Sequence, residues 1–241
     1  MGERRVRIDV AFTPAEVKGA VARRIVVVID VLRASSTIVE ALVNGARSVL
    51  PVATVDEAVR KADELGRDHV VLCGERESLP IRGFQLGNSP QEFTRARVDD
   101  RALIMTTTNG TLAVLAAAGA ARCYIGSLLN VGAVARRLAE HDDDVLLLCA
   151  GKQGGFAVED ALCAGRIARR LREHRRIVLG NDAAVTAVRL TGKRPVPPRA
   201  LARTAAGRQL RQIGRVEDIL FCAHEDRHDS VPVLEDHRLR L

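Results

Sequence analysis

The chain has no tryptophan and one tyrosine, and aromatic residues make up 2% of its 241 positions. That disfavours a protein that grips single strands by stacking bases on aromatic faces. No apolar run reaches the length of a membrane span, because an arginine or an aspartate interrupts each one. The opening residues MGERRVRIDV lack a long apolar stretch before a small-residue cleavage site, so no signal peptide is expected. The five cysteines form no CxxC pair. An odd number without metal-type spacing argues for reduced thiols and a cytoplasmic setting. Lysine occurs only at 18, 61, 152 and 193, and neither GxxxxGKS/T nor GxGxxG is found.

What is present is a globular composition with 47% apolar residues, enough for a full core. The formal net charge is +7, from 37 Lys+Arg against 30 Asp+Glu. Such an excess attracts anions, nucleic acid included, without naming the partner.

The chain is organised around residues 25–37, IVVVIDVLRASST. Five apolar residues run into Asp30, as in a parallel strand covered on both faces. Arg33 follows, then Ser35, Ser36 and Thr37, residue types that cap a helix N-terminus. A strand that feeds a helix start presents free N–H groups at the carboxyl edge of a sheet, where anions bind.

The other elements are read in the same way. A strand over 6–10 precedes a helix over about 14–22, opened by Thr13-Pro14. After the helix at 35–43 come a strand at 48–52 and a helix at 55–65 with the capping box Thr54-x-x-Glu57. A strand at 69–73 and a Gly- and Pro-rich loop over 74–90 follow. The pattern then restarts: strand 102–105, a turn over 106–111, helix 111–118, strand 122–125, a helix opened by Asn130, strand 145–149. NGARSVLPVATVDEAV lies over AGAARCYIGSLLNVGAV and HVVLCGE over DVLLLCAG, each at an offset of about 75 residues. The expected fold class is α/β, layered α/β/α with mostly parallel sheets, built from an internal duplication of two βαβαβ units. It would be one domain of two lobes, with repeats at about 24–75 and 101–151 and a helical and tail segment at about 156–241. That segment holds helices at 158–171 and 182–190, a basic helix at about 200–213, and a VPVL tail.

Four places carry candidate chemistry, all at carboxyl ends of strands. Asp30 and Arg33 form the first; the ordinary alternative is a surface ion pair or a cap. The second is Thr106, Thr107, Thr108, Asn109, Gly110 and Thr111, whose hydroxyls and amide can hold anionic oxygens; threonine runs are also common in strands. The third is CAGKQGGFAVED, with Gly151, Lys152, Gly154 and Gly155 followed by Glu159 and Asp160. The helix macrodipole alone favours such acids. Adjacent helical residues diverge by about 100°, so at most one of the two is expected to face a shared metal. The fourth is Glu75 and Arg76, with Asn88 and Ser89 beyond. Cys163-x5-Arg169 matches the cysteine-phosphatase string but lies in a helical pattern. Leu32 stands where a haloacid-dehalogenase phosphatase needs a second aspartate.

Taken together, DVLRASSTI, CGER, GFQLGNSP, TTTNGT, CAGKQGGFAVEDALCAG and the EDILFC…VP tail resemble the 2-phosphosulfolactate phosphatase family, over roughly 24–233. The resemblance implies a magnesium-dependent enzyme that hydrolyses phosphosulfolactate to sulfolactate and phosphate in coenzyme M synthesis. One departure is Gln85, where the family often has an acidic residue. On this reading Asp30, Glu75, Glu159 and Asp160 hold Mg²⁺, and Asp30, Arg33 and Lys152 act in catalysis. Ser35, Ser36, Arg76, Asn88, Ser89, Thr107, Thr108, Asn109, Gly110, Gly151 and Gly154 bind substrate. The partner is a small anionic phosphate or sulfonate, with no nucleic acid and no membrane; self-association stays open, as does whether water or a side chain attacks phosphorus. The competing readings are a basic nucleic-acid-binding protein and a non-catalytic binder of anionic metabolites.

Overall fold

The computed structural model describes residues 5–17 and 21–241. The organising run Ile25–Ile29 is strand β2, fully buried along its length. Its side chains alternate between two cores. Ile25, Val27 and Ile29 meet Val134, Leu138, Ile167 and Leu171 on one face; Val26 and Val28 meet Ile38, Val39, Ala113 and Val114 on the other. Each buried Val or Ile is worth roughly 1.5–3 kcal/mol on transfer from water, and burial on both faces is why the run never alternates with polar residues.

In chain order the strands are β1 (Val6–Ala11), β2, β3 (Ser48–Pro51), β4 (Val70–Arg76), β5 (Leu79–Pro80), β6 (Ala102–Thr106), β7 (Arg122–Gly126), β8 (Val145–Cys149), β9 (Ile177–Leu179), β10 (Val233–Glu235) and β11 (Arg238–Arg240). The helices are α1 (Ala34–Val43), α2 (Val55–Leu65), α3 (Arg95–Val98), α4 (Gly110–Ala116), α5 (Val131–Ala139), α6 (Val158–Leu171), α7 (Asp182–Leu190), α8 (Pro198–Ala202), α9 (Ala205–Gln212) and α10 (Val216–Cys222).

The described residues form one 11-stranded sheet in the order β5-β4-β6-β3-β11-β10-β7-β2-β8-β1-β9. β2 lies between β7 and β8, with Ile29 level with Gly126 and Cys149. β6 lies between β3 and β4, with Met105 level with Pro51 and Cys73. Both trios are parallel, as expected. The run β4-β6-β3 becomes β8-β2-β7 when β2 is exchanged for β6, β3 for β7 and β4 for β8, so the central eight strands, β4 to β8, read the same from either side, while the ends differ: β5 flanks one trio, and β1 and β9 the other. Strand order alone does not establish the expected duplication. The hairpin β10–β11 joins the trios through three antiparallel pairings, so they run in opposite senses. Helices α1 and α4 pack between them, touching β7 and β3, and β2 and β3, respectively. Helices α5 and α6 cover the outer face of one trio, α7 covers the neighbouring β1 and β9, and α2 covers the other trio.

Several expected boundaries move. The helix expected at 14–22 is a single 3-10 turn at Pro14–Glu16, and positions 18–20 lie outside the described residues. Glu16 takes the N–H of Phe12 there, so the turn closes locally. The 74–90 loop begins later, because Gly74, Glu75 and Arg76 extend β4, Gly74 beside Thr106 of β6 and the other two paired with β5. The basic helix at 200–213 breaks where Thr204 starts α9, accepting the Gly207 N–H. The tail fills the middle of the sheet, with Leu239 fully buried. Among the described residues no helix is long and apolar enough to cross a membrane.

Candidate active site

The turn from β2 into α1 is shaped by its own hydroxyls. Ser35 Oγ accepts the Asp30 N–H at 2.9 Å, and Ser36 Oγ donates to the Val31 carbonyl at 2.9 Å. Asp30 Oδ1 accepts the Ala34 N–H at 3.2 Å, so the carboxylate sits at the open start of α1. Across from it, Thr107 and Thr111 bond to each other at the start of α4. Gly110 touches Asp30 directly: a Cβ there would stand 2.6 Å from Oδ2.

Glu75, at the end of β4, accepts the Thr108 N–H and the Ser78 N–H, both at 2.7 Å. After β8 the chain turns at Gly151, whose φ of +68° suits glycine and where a Cβ would lie 2.4 Å from the Gly155 carbonyl. Asn109 Oδ1 accepts the Gln153 N–H at 2.8 Å and ties the two turns together. Asp160, in the first turn of α6, accepts N–H groups from Val31 at 2.9 Å and Gly151 at 3.1 Å. Four strand ends thus border one cleft, lined by Asp30, Arg33, Glu75, Thr108, Lys152 and Glu159 among others.

The cleft collects acid. Burial, then the nearby Glu75 and Glu159, push the Asp30 carboxyl up to about 7, against the pull of the Ala34 N–H and Arg33. Asp160 is held well above the usual carboxylate range by burial first, then by Asp30 and Glu159. Glu159 is raised chiefly by burial. Such a cluster either shares protons or accepts a cation. Asn88 Oδ1 is buried at the same cleft without a hydrogen-bond partner among the described residues. Donors that are all oxygen fit a hard cation such as Mg²⁺. Among the described residues no three Asp, Glu, His or Cys side chains form a ready-made metal cluster.

A family model described as 2-phosphosulpholactate phosphatase matches residues 11–237. The chain belongs to that family. A probable 2-phosphosulfolactate phosphatase of Clostridium beijerinckii is 36% identical over 236 residues, covering 97% of this chain and 99% of the relative. One from Symbiobacterium thermophilum is 41% identical over 229 residues, covering 95% and 97%. One from Thermotoga maritima is 38% identical over 227 residues, covering 94% and 95%. This member of the 2-phosphosulpholactate phosphatase family is therefore an enzyme of the phosphoric monoester hydrolase class.

Within this phosphatase, ten residues singled out from sequence line the cleft: Asp30, Arg33, Glu75, Asn88, Thr108, Asn109, Gly151, Lys152, Glu159 and Asp160. Both Glu159 and Asp160 line it, in different surroundings: Asp160 takes N–H groups at the strand ends, while Glu159 sits beside Thr204. The other seven do not line it. Ser35 and Ser36 serve the turn, Thr107 and Gly110 the start of α4. Arg76 Nη2 donates to Thr106 Oγ1 at 2.9 Å, and Ser89 Oγ donates to Asp218 Oδ1. Gly154 has open space around it. Gln85 accepts the Leu72 N–H on the edge of β4 and stands outside the cleft, so the departure there leaves the acidic cluster untouched. Sequence reading missed Glu77, Ser78 and Gln209. Gln209 sat inside a run read only as basic, and it bonds both Lys152 Nζ and the Glu77 carbonyl.

Proposed function

We propose that this cleft hydrolyses 2-phospho-3-sulfolactate, or a closely related small phosphorylated sulfonate or hydroxy acid, to 3-sulfolactate and phosphate. In the cell this would be a magnesium-dependent step of coenzyme M synthesis in the cytoplasm, a setting that suits five free, buried thiols. The observation that carries the reading is the meeting of Asp30, Glu75, Glu159 and Asp160 with Arg33 and Lys152 in one cleft. The relatives' names supply the substrate.

Asp30, Glu159, Glu75 and Asp160 would hold Mg²⁺, with Asn88 Oδ1 as a neutral oxygen beside them. When bound, the ion supplies charge neutralisation at a phosphoryl oxygen. Arg33 presents further N–H groups of its fork to the equatorial oxygens. Lys152 leaves Gln209 to meet another anionic oxygen. Asp30 Oδ1 accepts the Ala34 N–H, while Oδ2 accepts no hydrogen bond among the described residues and is open to the ion.

Phosphate release from 2-phosphosulfolactate and from p-nitrophenyl phosphate, with and without Mg²⁺, tests the reading. Release that is unchanged after exhaustive chelation removes the magnesium part. Release from the simple ester alone removes the proposed substrate.

A further inference from the structure

Asp218 lies in the EDILFC string, which the cleft's lining does not include. It is buried in the first turn of α10. Its Oδ2 takes Arg33 Nη1 at 2.7 Å, with both side chains at most 4% exposed. Its Oδ1 takes Ser89 Oγ at 2.5 Å and Gln91 Nε2 at 3.3 Å. The far arm of the same guanidinium, Nη2, donates to the Ser78 carbonyl at 2.9 Å. Arg33 is thus pinned at both ends, and the rest of its five-donor fork is left toward the cleft.

Buried ion pairs are weak stability devices, since apolar residues of similar volume often do as well. This pair, joining positions 185 apart, has a different use. Arg33 shares the cleft with several carboxylates, Asp30 nearest in the chain. An unrestrained guanidinium there collapses onto one of them and is lost to the substrate. Asp218 supplies the competing charge from outside the cleft, and Ser89 and Gln91 fix its direction.

We propose that Asp218 is a positioning residue: through its ion pair it holds the Arg33 guanidinium aimed at the phosphoryl oxygens of the substrate. This rests on the reading above that Arg33 contacts the phosphoryl group.

The test uses the full chain and p-nitrophenyl phosphate, with guanidinium chloride at millimolar levels as the probe. Arg33→Ala lowers kcat/KM, and added guanidinium restores it at least about tenfold. In Arg33→Ala/Asp218→Asn the rescue is lost, because the free cation has no anchor. Asp218→Asn alone costs roughly 10–100-fold, the range for groups that orient a binding residue, and costs nothing further on top of Arg33→Ala. Rescue at the same guanidinium concentration in both backgrounds, or additive losses, overturns the proposal. Should Asp218→Asn not fold, Arg33→Ala/Asp218→Glu takes its place: a raised half-saturating concentration supports the proposal and an unchanged one overturns it. Full activity in Arg33→Ala removes the phosphoryl role of Arg33 and the positioning role with it. An Arg33-dependent enzyme with Asp218-independent rescue removes the positioning role alone.

Discussion

Gly110 opens α4 against the carboxylate of Asp30. A Cβ built on Gly110 would stand 2.6 Å from Asp30 Oδ2 and 2.4 Å from the Cβ of Ala34. The two helix starts therefore meet head to head, and the smallest residue is what lets both reach the cleft.

Gly110→Ala is expected to force α1 and α4 apart. Overpacking of this kind costs roughly 1–3 kcal/mol, read as a lower melting temperature. Because the clash falls on Asp30, kcat should drop more than tenfold as well. A variant with full turnover would show that the contact is slack.

Asp30→Asn keeps an acceptor for the Ala34 N–H and removes the charge, so it should fold and lose at least about 100-fold in kcat. The pH dependence has a definite sign. The folded carboxyl titrates near 7 against 3.8 in the unfolded chain, so between these values the folded state binds more protons. Metal-free wild type should thus gain stability as pH falls from above 7 towards 4, and lose it on the way back. Asp30→Asn should flatten that slope. Denaturant melts at a series of pH values measure it; an identical slope in both proteins contradicts the assignment.

Mg²⁺ binding is expected to release protons near pH 7, because carboxyls raised by burial and mutual repulsion must ionise to accept the ion. Titration calorimetry in two buffers of different ionisation enthalpy gives the number directly. Heat that is independent of buffer would place the ion away from Asp30.

Gln209 straps α9 over the cleft through Lys152 and the Glu77 carbonyl. Gln209→Ala should leave the melting temperature within a few degrees, since a typical hydrogen bond is worth only about 0.5–1.5 kcal/mol net. Amide exchange in α9 should accelerate severalfold. Unaltered exchange there would mean that packing alone holds the strap.

Much of this was legible in the chain itself. The run Ile25–Ile29 reads as a doubly covered strand because every residue is apolar, and a charge straight after it marks the cleft. Lys152 and the acids of α6 are visible for the same reason: they follow an apolar run and a glycine turn. What local pattern cannot express is who meets whom. Asp218 and Arg33 become partners only through the fold. Ser35 and Ser36 look like free hydroxyls until the turn claims them. The three-residue strands β10 and β11 are too short to show a period, yet they hold the middle of the sheet.

The exchanged strand order sets a timetable for synthesis. β2 has no permanent neighbour until β7 and β8 exist, and at roughly 5–20 residues per second the ribosome needs several seconds to supply them. During that interval the most apolar strand of the nascent polypeptide emerges with both edges open, a state that invites aggregation. Chaperone dependence on the ribosome should therefore be higher for this topology than for one whose halves close on themselves.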